Sequence, residues 1–434
     1  MVAVGLATLL GKVVAMGRDV VVASYFGTSD AVDAFFIALA VPTYVSQVLT
    51  GSLPVALVPI YLRVQERRGV REAGRLLTSL VIVAGAIVAS ASAILALAAP
   101  IVLPLAGATF DGEKLALTQR LFLIMLPAIF ISGISGILAG VLNAHERFVL
   151  AALTPAFMSI MSVAFLLAAG HQWGVYALAI GMSAGYLAEV LVLGGAVGRR
   201  GLFGTAPWRV WQHPEVREVL GQYAPLLVGA ALMSSSPLID QTMAASLGAG
   251  KVAALAYGSK IVTAGLGIAI TAVTTAIFPH FSRMVASQDW HGVRHTLRTY
   301  SRLVLAGTVP TVLVIGVFSS SIIRLLFERG AFSASDTRVV ASIQTLFALQ
   351  IPFYVLGMIG VRLLSATGAN RTLMWISIGN FFTNIIGNYV CMKIWDVAGI
   401  ALSTSIVYML SSIALYVCVA RRIATLERHT EAAQ

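Results

Sequence analysis

Seven ionisable side chains interrupt long apolar runs of this sequence: Lys12, Arg18, Asp19, Glu189, Asp240, Lys260 and Arg362. Each would cost about 2.5–3.5 kcal/mol at the centre of a lipid-facing helix, so each should face a cavity or another charge. Lys12 and Asp19 share one helical stripe but lie about 10.5 Å apart along the axis, too far for a direct bridge, and Arg18 projects ~100° away from Asp19. Lys12 and Arg18, in the first helix of the first half, and Lys260, in the second helix of the second half, could collect positive charge in one cavity, with Arg362 as a further cation. Such a cavity suits a phosphate or diphosphate. The competing reading is that these groups snorkel from helix ends or form ion pairs that set helix register, and it weighs most for Lys12 and Arg362. For Asp19 and Asp240 the alternatives are pairing or helix positioning on one side, and proton or cation coupling on the other. Glu189 stands alone in "GYLAEVLVL".

The other residue types that do chemistry form no site. "GAGKV" at 248–252 lacks the preceding Gly and following Ser/Thr of a phosphate loop. His280, His291 and His295 fall together in a polar connection, and the two cysteines, Cys391 and Cys418, lie in separate runs without metal-ligand spacing. No nucleophile, base and orienting group can be assembled, so neither an enzyme nor a cofactor or metal is expected.

The elements that must position the charges are membrane helices. Of 434 residues, 58% are hydrophobic and 11% charged, and the mean hydropathy is +0.90, more apolar than a soluble core of this size requires. Twelve stretches can cross about 30 Å of hydrocarbon: 2–26, 34–62, 76–106, 119–143, 148–170, 174–198, 217–247, 252–284, 298–326, 338–365, 372–393 and 396–420. Several exceed ~20 residues and imply tilting or kinks, and Pro42, Pro54 and Pro59 favour bends in the second. The first lacks a basic leader and a small-residue cleavage site and is expected to persist as a helix. With the N-terminus in the cytoplasm, eighteen Lys and Arg fall in inward connections and seven in outward ones, which places both termini inside. The net charge of +11 is then mainly an orientation signal rather than a sign of nucleic-acid binding.

The sequence is also written twice. "RDVVVASYFGTSDAVDAFF" at 18–36 aligns with "IDQTMAASLGAGKVAALAY" at 239–257, matching Asp19 to Asp240, Ala23 to Ala244 and Gly27 to Gly248. Farther on, Trp173 meets Trp395, Val175 meets Val397, Tyr186 meets Tyr408, and the Arg199–Arg200 pair meets Arg421–Arg422. Six helices per copy, an even number, make the repeats parallel, related by an axis along the membrane normal. The expected architecture is therefore an all-α polytopic membrane protein of twelve transmembrane helices, with two six-helix lobes around a central cavity. An N-lobe at 1–200 and a C-lobe at 217–434 would be joined by an interfacial linker at 201–216, as suits alternating access.

At this point the residues carry a resemblance. "GRDVVVASYFGTSDAVDAFFIALAVP" at 17–42, "AYGSKIVTAGLGIAITAVTTAIFPHFSR" at 256–283 and "LLFERGAFSASDT" at 325–337 resemble segments of the MurJ/MviN lipid II flippase family, in the multidrug/oligosaccharidyl-lipid/polysaccharide exporter superfamily. The resemblance implies flipping of a polyprenyl diphosphate-linked saccharide from the inner to the outer leaflet of a bacterial cytoplasmic membrane. Basic cavity residues would hold the diphosphate: Arg18 matches a family arginine, and Lys12 and Lys260 fall where arginines are usual. Asp33, in "AVDAFF", matches an acid at the start of the second helix and joins Asp19 and Asp240 as a coupling or structural acid. Two departures stand out. Ser46 and Gln47 occupy the place of a family arginine pair, and the twelve helices read here are two fewer than the fourteen typical of the family, whose last two form a groove for the lipid tail. These departures admit another polyprenyl-linked envelope glycan as cargo. The alternative function is a cation-coupled drug antiporter of the same superfamily. The drive would be the membrane potential or an ion gradient, the headgroup would be met by polar side chains such as Ser46, Gln47 and Asn384, and envelope glycan-synthesis proteins are the partners expected.

Overall fold

In a lipid core every backbone N–H and C=O must be satisfied within the chain, and continuous helices do this locally. The computed structural model describes residues 2–51, 53–205, 214–276 and 278–433, and among them the chain is helical throughout its regular structure. The order is α1 (Val2–Phe26), α2 (Asp30–Thr50), α3 (Leu53–Arg68), α4 (Val70–Ala106), α5 (Gly112–Ala144), α6 (Phe148–Leu153), α7 (Ala156–Trp173) and α8 (Val175–Gly198). There follow α9 (Pro214–Ala245), α10 (Lys251–Ala276), α11 (Phe278–Ala286), α12 (Trp290–Phe327), α13 (Ala334–Ala348), α14 (Gln350–Ala366) and α15 (Asn370–Ala433). Eight helical segments among the described residues are long and apolar enough to cross a membrane. The chain is an all-α polytopic membrane protein.

The first ten expected stretches each coincide with one helix or with two in succession. The second is divided: α2 ends at Thr50, Gly51 follows, and α3 opens at Leu53 with Pro54 in its first turn, where a missing N–H costs no helical bond. The last two are joined without a loop in α15, whose 64 residues would run about 96 Å if straight. Trp395 and Asp396 break it, with Asp396 at φ 54°, ψ −143°. Gly174, the repeat equivalent, has φ 52°, ψ −132° and divides α7 from α8. The duplication is thus written in the backbone, with glycine relieving the strain in one copy and aspartate bearing it in the other. Helix starts agree as well. Asp111 caps α5 by accepting the Lys114 N–H at 2.8 Å, and Ser333, 222 positions on, caps α13 in a capping box with Asp336.

By contacts the chain forms two units, Met1–Val252 and Ala253–Gln434. In the first, α2 packs on α5, α5 on α8, and α7 on α8. The approach is close because small residues line it: a side chain at Gly181 or Gly185 would strike the α7 backbone at Met161 or Met158, and one at Gly133 would strike Thr50. α9, which the repeat pattern assigns to the second lobe, packs against α2, α3 and α4, with Val216 and Val219 joining Leu57, Tyr61, Leu77 and Leu142 in one apolar core. Residues 206–213, most of the expected interfacial linker, lie outside the described residues. In the second unit, α12, α13, α14 and α15 pack together, and Tyr257, Phe327 and Phe332 stack with ring centroids 5.5–5.9 Å apart.

Candidate functional site

The charges of α1 do not all stand free. Arg18 donates from Nη2 to Asp19 Oδ1 at 2.6 Å and from Nε to the same oxygen at 3.1 Å, while Nη1 reaches Met158 Sδ of α7 at 2.9 Å. Neighbours on a helix normally diverge, as the ~100° angle between Arg18 and Asp19 implies, yet the long guanidinium stem folds back across it. This corrects the expectation that Arg18 points away from the acid. Its side chain is only 16% exposed, and it lines a groove of about 480 Å³ between α1 and α7 with Val14, Gly17, Ser159 and Leu167. Of five guanidinium N–H groups, three are committed, which leaves two donors for an anion. Tyr186 of α8 lies within electrostatic reach of Arg18 and of the buried Glu189. Lys12 is half-buried two turns earlier, and among the described residues no acid pairs with it.

Asp33 sits at a different junction, where the turns after α1, α4 and α9 meet. It is fully buried, and its Oδ2 takes a salt bridge from Lys114 Nζ at 3.0 Å and a hydrogen bond from the Gly250 N–H at 2.6 Å. Lys114 Nζ also reaches Asp30 Oδ1 at 2.5 Å and lies 4.1 Å from the centre of the Phe110 ring. Beside it Thr109 donates to the Ala245 carbonyl at 2.6 Å. Gly250 has φ +75°, and a Cβ there would meet the Thr28 carbonyl, so the turn admits only glycine without strain. Three connections distant in sequence are therefore tied through one buried carboxylate. Asp33 makes these ties from a fully buried position.

This junction was not visible in the sequence. Lys114 counts there only as an outward-loop charge, and its partners lie 81 and 84 positions away. The one available signal was a lysine in the first turn of a helix, against the favoured placing of acids there, which hints at an external carboxylate.

Asp240, on α9, is buried, as are Ser46 of α2 and Asn384 of α15. Ser46 donates to the Ile129 carbonyl at 3.3 Å and lies 3.4 Å from the Thr50 hydroxyl, so it faces protein and is not available to a headgroup. Gln47 is exposed, and with Thr43, Tyr44, Ser234 and Gln241 it lines a pocket of about 130 Å³ between α2 and α9. Tyr44 donates to the Ala231 carbonyl at 3.3 Å across this pocket, and among the described residues the buried Gln241 Oε1 has no hydrogen-bond partner. An unpartnered amide oxygen in a pocket of that size invites a donor such as a hydroxyl or water. Lys260 on α10 and Arg362 on α14 are half-buried in the second unit.

Comparison with known proteins bears on the whole chain. A family model described as "Lipid II flippase MurJ" matches residues 22–432. A lipid II flippase MurJ from Burkholderia cenocepacia is 27% identical over 96% of this chain and 82% of its own length. A probable lipid II flippase MurJ from a Synechocystis species is 26% identical over 98% of this chain and 81% of its own. Among solved structures, a lipid II flippase MurJ in an inward closed conformation superposes with a TM-score of 0.82 at 21% identity, covering 98% of this chain and 90% of that one. An inward-facing multidrug-resistance MATE transporter gives 0.77 at 13% identity, covering 96% and 95%. At these identities the structural likenesses are likenesses of fold.

Proposed function

The chain belongs to the lipid II flippase MurJ family, and on that premise we propose that it translocates lipid II across the bacterial cytoplasmic membrane. It is a multi-pass inner-membrane transporter and not an enzyme. The observation that carries the reading is the family match across nearly the entire chain, residues 22–432, together with relatives that align over about four fifths of their own length.

The cargo joins a diphosphate to an apolar tail and a polar sugar headgroup, and each part asks for different chemistry. Cations meet the diphosphate: Arg18, Lys260, Lys12 and Arg362 are the residues proposed for it. Arg18 offers two uncommitted N–H groups beside its tether to Asp19, so it can bind an anion without reorganising its stem. Lysine at positions 12 and 260 keeps the charge and gives up the planar fork. Asp19 and Asp240 hold equivalent places in the two repeats and are proposed to position the cations or couple transport to a cation. Gln47 and Gln241, in the pocket between α2 and α9, are suited to sugar hydroxyls. We further propose twelve membrane crossings, both termini in the cytoplasm, contact with envelope glycan-synthesis proteins, and a drive from the membrane potential or an ion gradient. One charge moved through 100 mV yields about 2.3 kcal/mol. The likeness to a MATE transporter is one of fold and gives no argument for drug export.

The test is replacement. Expressed in a bacterium whose own lipid II flippase can be switched off, this chain should sustain growth and wall synthesis. A chain that inserts and folds yet leaves the cells to lyse would refute the reading.

A further inference from the structure

We propose that a groove between the first three turns of α12 and the second limb of α15 binds the phosphate of an anionic glycerophospholipid from the adjoining leaflet. The inference stands independently of the cargo. The groove measures about 490 Å³ and is lined by Arg294, Arg298, Arg302, Ser301, Tyr416 and Ile423, among others. The three arginines lie at i, i+4 and i+8, hence along one face of α12. Arg294 is held by Glu427 at 2.5 Å, and among the described residues no acid pairs with Arg298 or Arg302. Ser301 and Tyr416 place their hydroxyls 2.6 Å apart across the groove, adding polar groups to the cationic wall.

Depth in the membrane selects the ligand. Arg302 is 25 residues from the end of α12 at Phe327, about 37 Å at helical rise, whereas the hydrocarbon is about 30 Å thick. With Phe327 at one edge of the hydrocarbon, Arg302 therefore falls about 7 Å past the other edge, at the level of the headgroups. From there inward α12 exposes Leu305, Val309 and Leu313 on the face of the arginines, and only 11% of its apolar window is buried in protein. A phosphate seated on Arg298 and Arg302 would thus lay its acyl chains on a continuous apolar track. Basic pockets at a helix boundary next to lipid are suited to anionic headgroups. A free phosphate would use the cations and leave the track empty, while a soluble acidic peptide would have no use for it.

The test uses the purified full chain, stripped of lipid in detergent and exposed to dioleoyl phosphatidylglycerol or dioleoyl phosphatidylcholine, with retained lipid counted by native mass spectrometry. Phosphatidylglycerol should be retained in preference. Arg298→Ala with Arg302→Ala should weaken that retention roughly 25-fold, from about 1 kcal/mol for each cation. Arg298→Lys with Arg302→Lys should keep most of it. Ala420→Glu, which sets a carboxylate in the groove, should cause a comparable loss and serves if the double alanine variant folds poorly. Equal retention of the two lipids, or retention unchanged in both the alanine and glutamate variants, would overturn the proposal. Displacement of phosphatidylglycerol by inorganic phosphate or by undecaprenyl diphosphate at equal concentration would overturn it too, reassigning the groove to a free anion or to the cargo.

Discussion

Replacing Lys114 with methionine isolates the buried junction at Asp33. Methionine keeps the length and apolar stem of lysine and removes the ammonium, so Asp33 loses the Lys114 cation and the Phe110 ring loses its cation–π contact. Asp33 is 0% exposed and the Lys114 side chain 8%, so water cannot take over from the lost cation. Removing one member of a buried ion pair costs about 3–5 kcal/mol. The Lys114 contact to Asp30 is different: the Asp30 side chain is 61% exposed, and such a pair contributes about 0–1 kcal/mol. The expected order follows. Lys114→Met should destabilise the chain by at least about 3 kcal/mol and Asp30→Asn by less than about 1. Lys114→Met combined with Asp33→Asn should cost less than Lys114→Met alone, because the neutral amide can still accept from Gly250. Unfolding in detergent micelles, followed by circular dichroism, reads all three. Equal, small losses for Lys114→Met and Asp30→Asn would show that the Asp33 pair is solvated and the reasoning from burial mistaken.

Two further outcomes follow from the same packing. Arginine at Ser46 would displace a buried hydroxyl bonded to the Ile129 carbonyl and should destabilise by about 3 kcal/mol or more, whereas Gln47→Arg, on the exposed side, should stay within about 1 kcal/mol. The same micelle melts decide, and the reverse order would mean that α2 is rotated from the orientation described. Gly250→Ala should cost about 1–3 kcal/mol, since a Cβ would meet the Thr28 carbonyl at a positive φ, while Gly5→Ala, with open space around it, should be neutral or better.

The helices were legible because lipid leaves the backbone few choices, and runs such as 76–106 and 174–198 return as α4 and α8 within a few residues. The duplication was legible where chemistry restricts the residue: Gly27 and Gly248 both carry positive φ, and Trp173 and Trp395 both precede a reversal. What escaped was tertiary. Arg18 and Asp19 looked divergent because an angle between Cα–Cβ vectors says nothing of where a seven-atom side chain ends. Ser46 and Gln47 looked equivalent as polar neighbours, but a helix sends them to opposite environments, one against α5 and one into a pocket. Lys114 read as a loop charge because its partners are brought to it by folding alone. The attachment of α9 to α2, α3 and α4 likewise depends on Val216 and Val219 finding an apolar core that the repeat pattern does not mention.

The central claim is movement of lipid II between leaflets, and the most direct measurement is chemical labelling of lipid II from the outer surface of cells in which this chain is the sole flippase. Labelling should appear with the wild-type chain and fall to about a tenth or less with Arg18→Ala combined with Lys260→Ala, since charge-assisted bonds to the diphosphate contribute about 1.5–3 kcal/mol each. Wild-type chain that is present and folded in the membrane, with no lipid II reached from outside, would contradict the account.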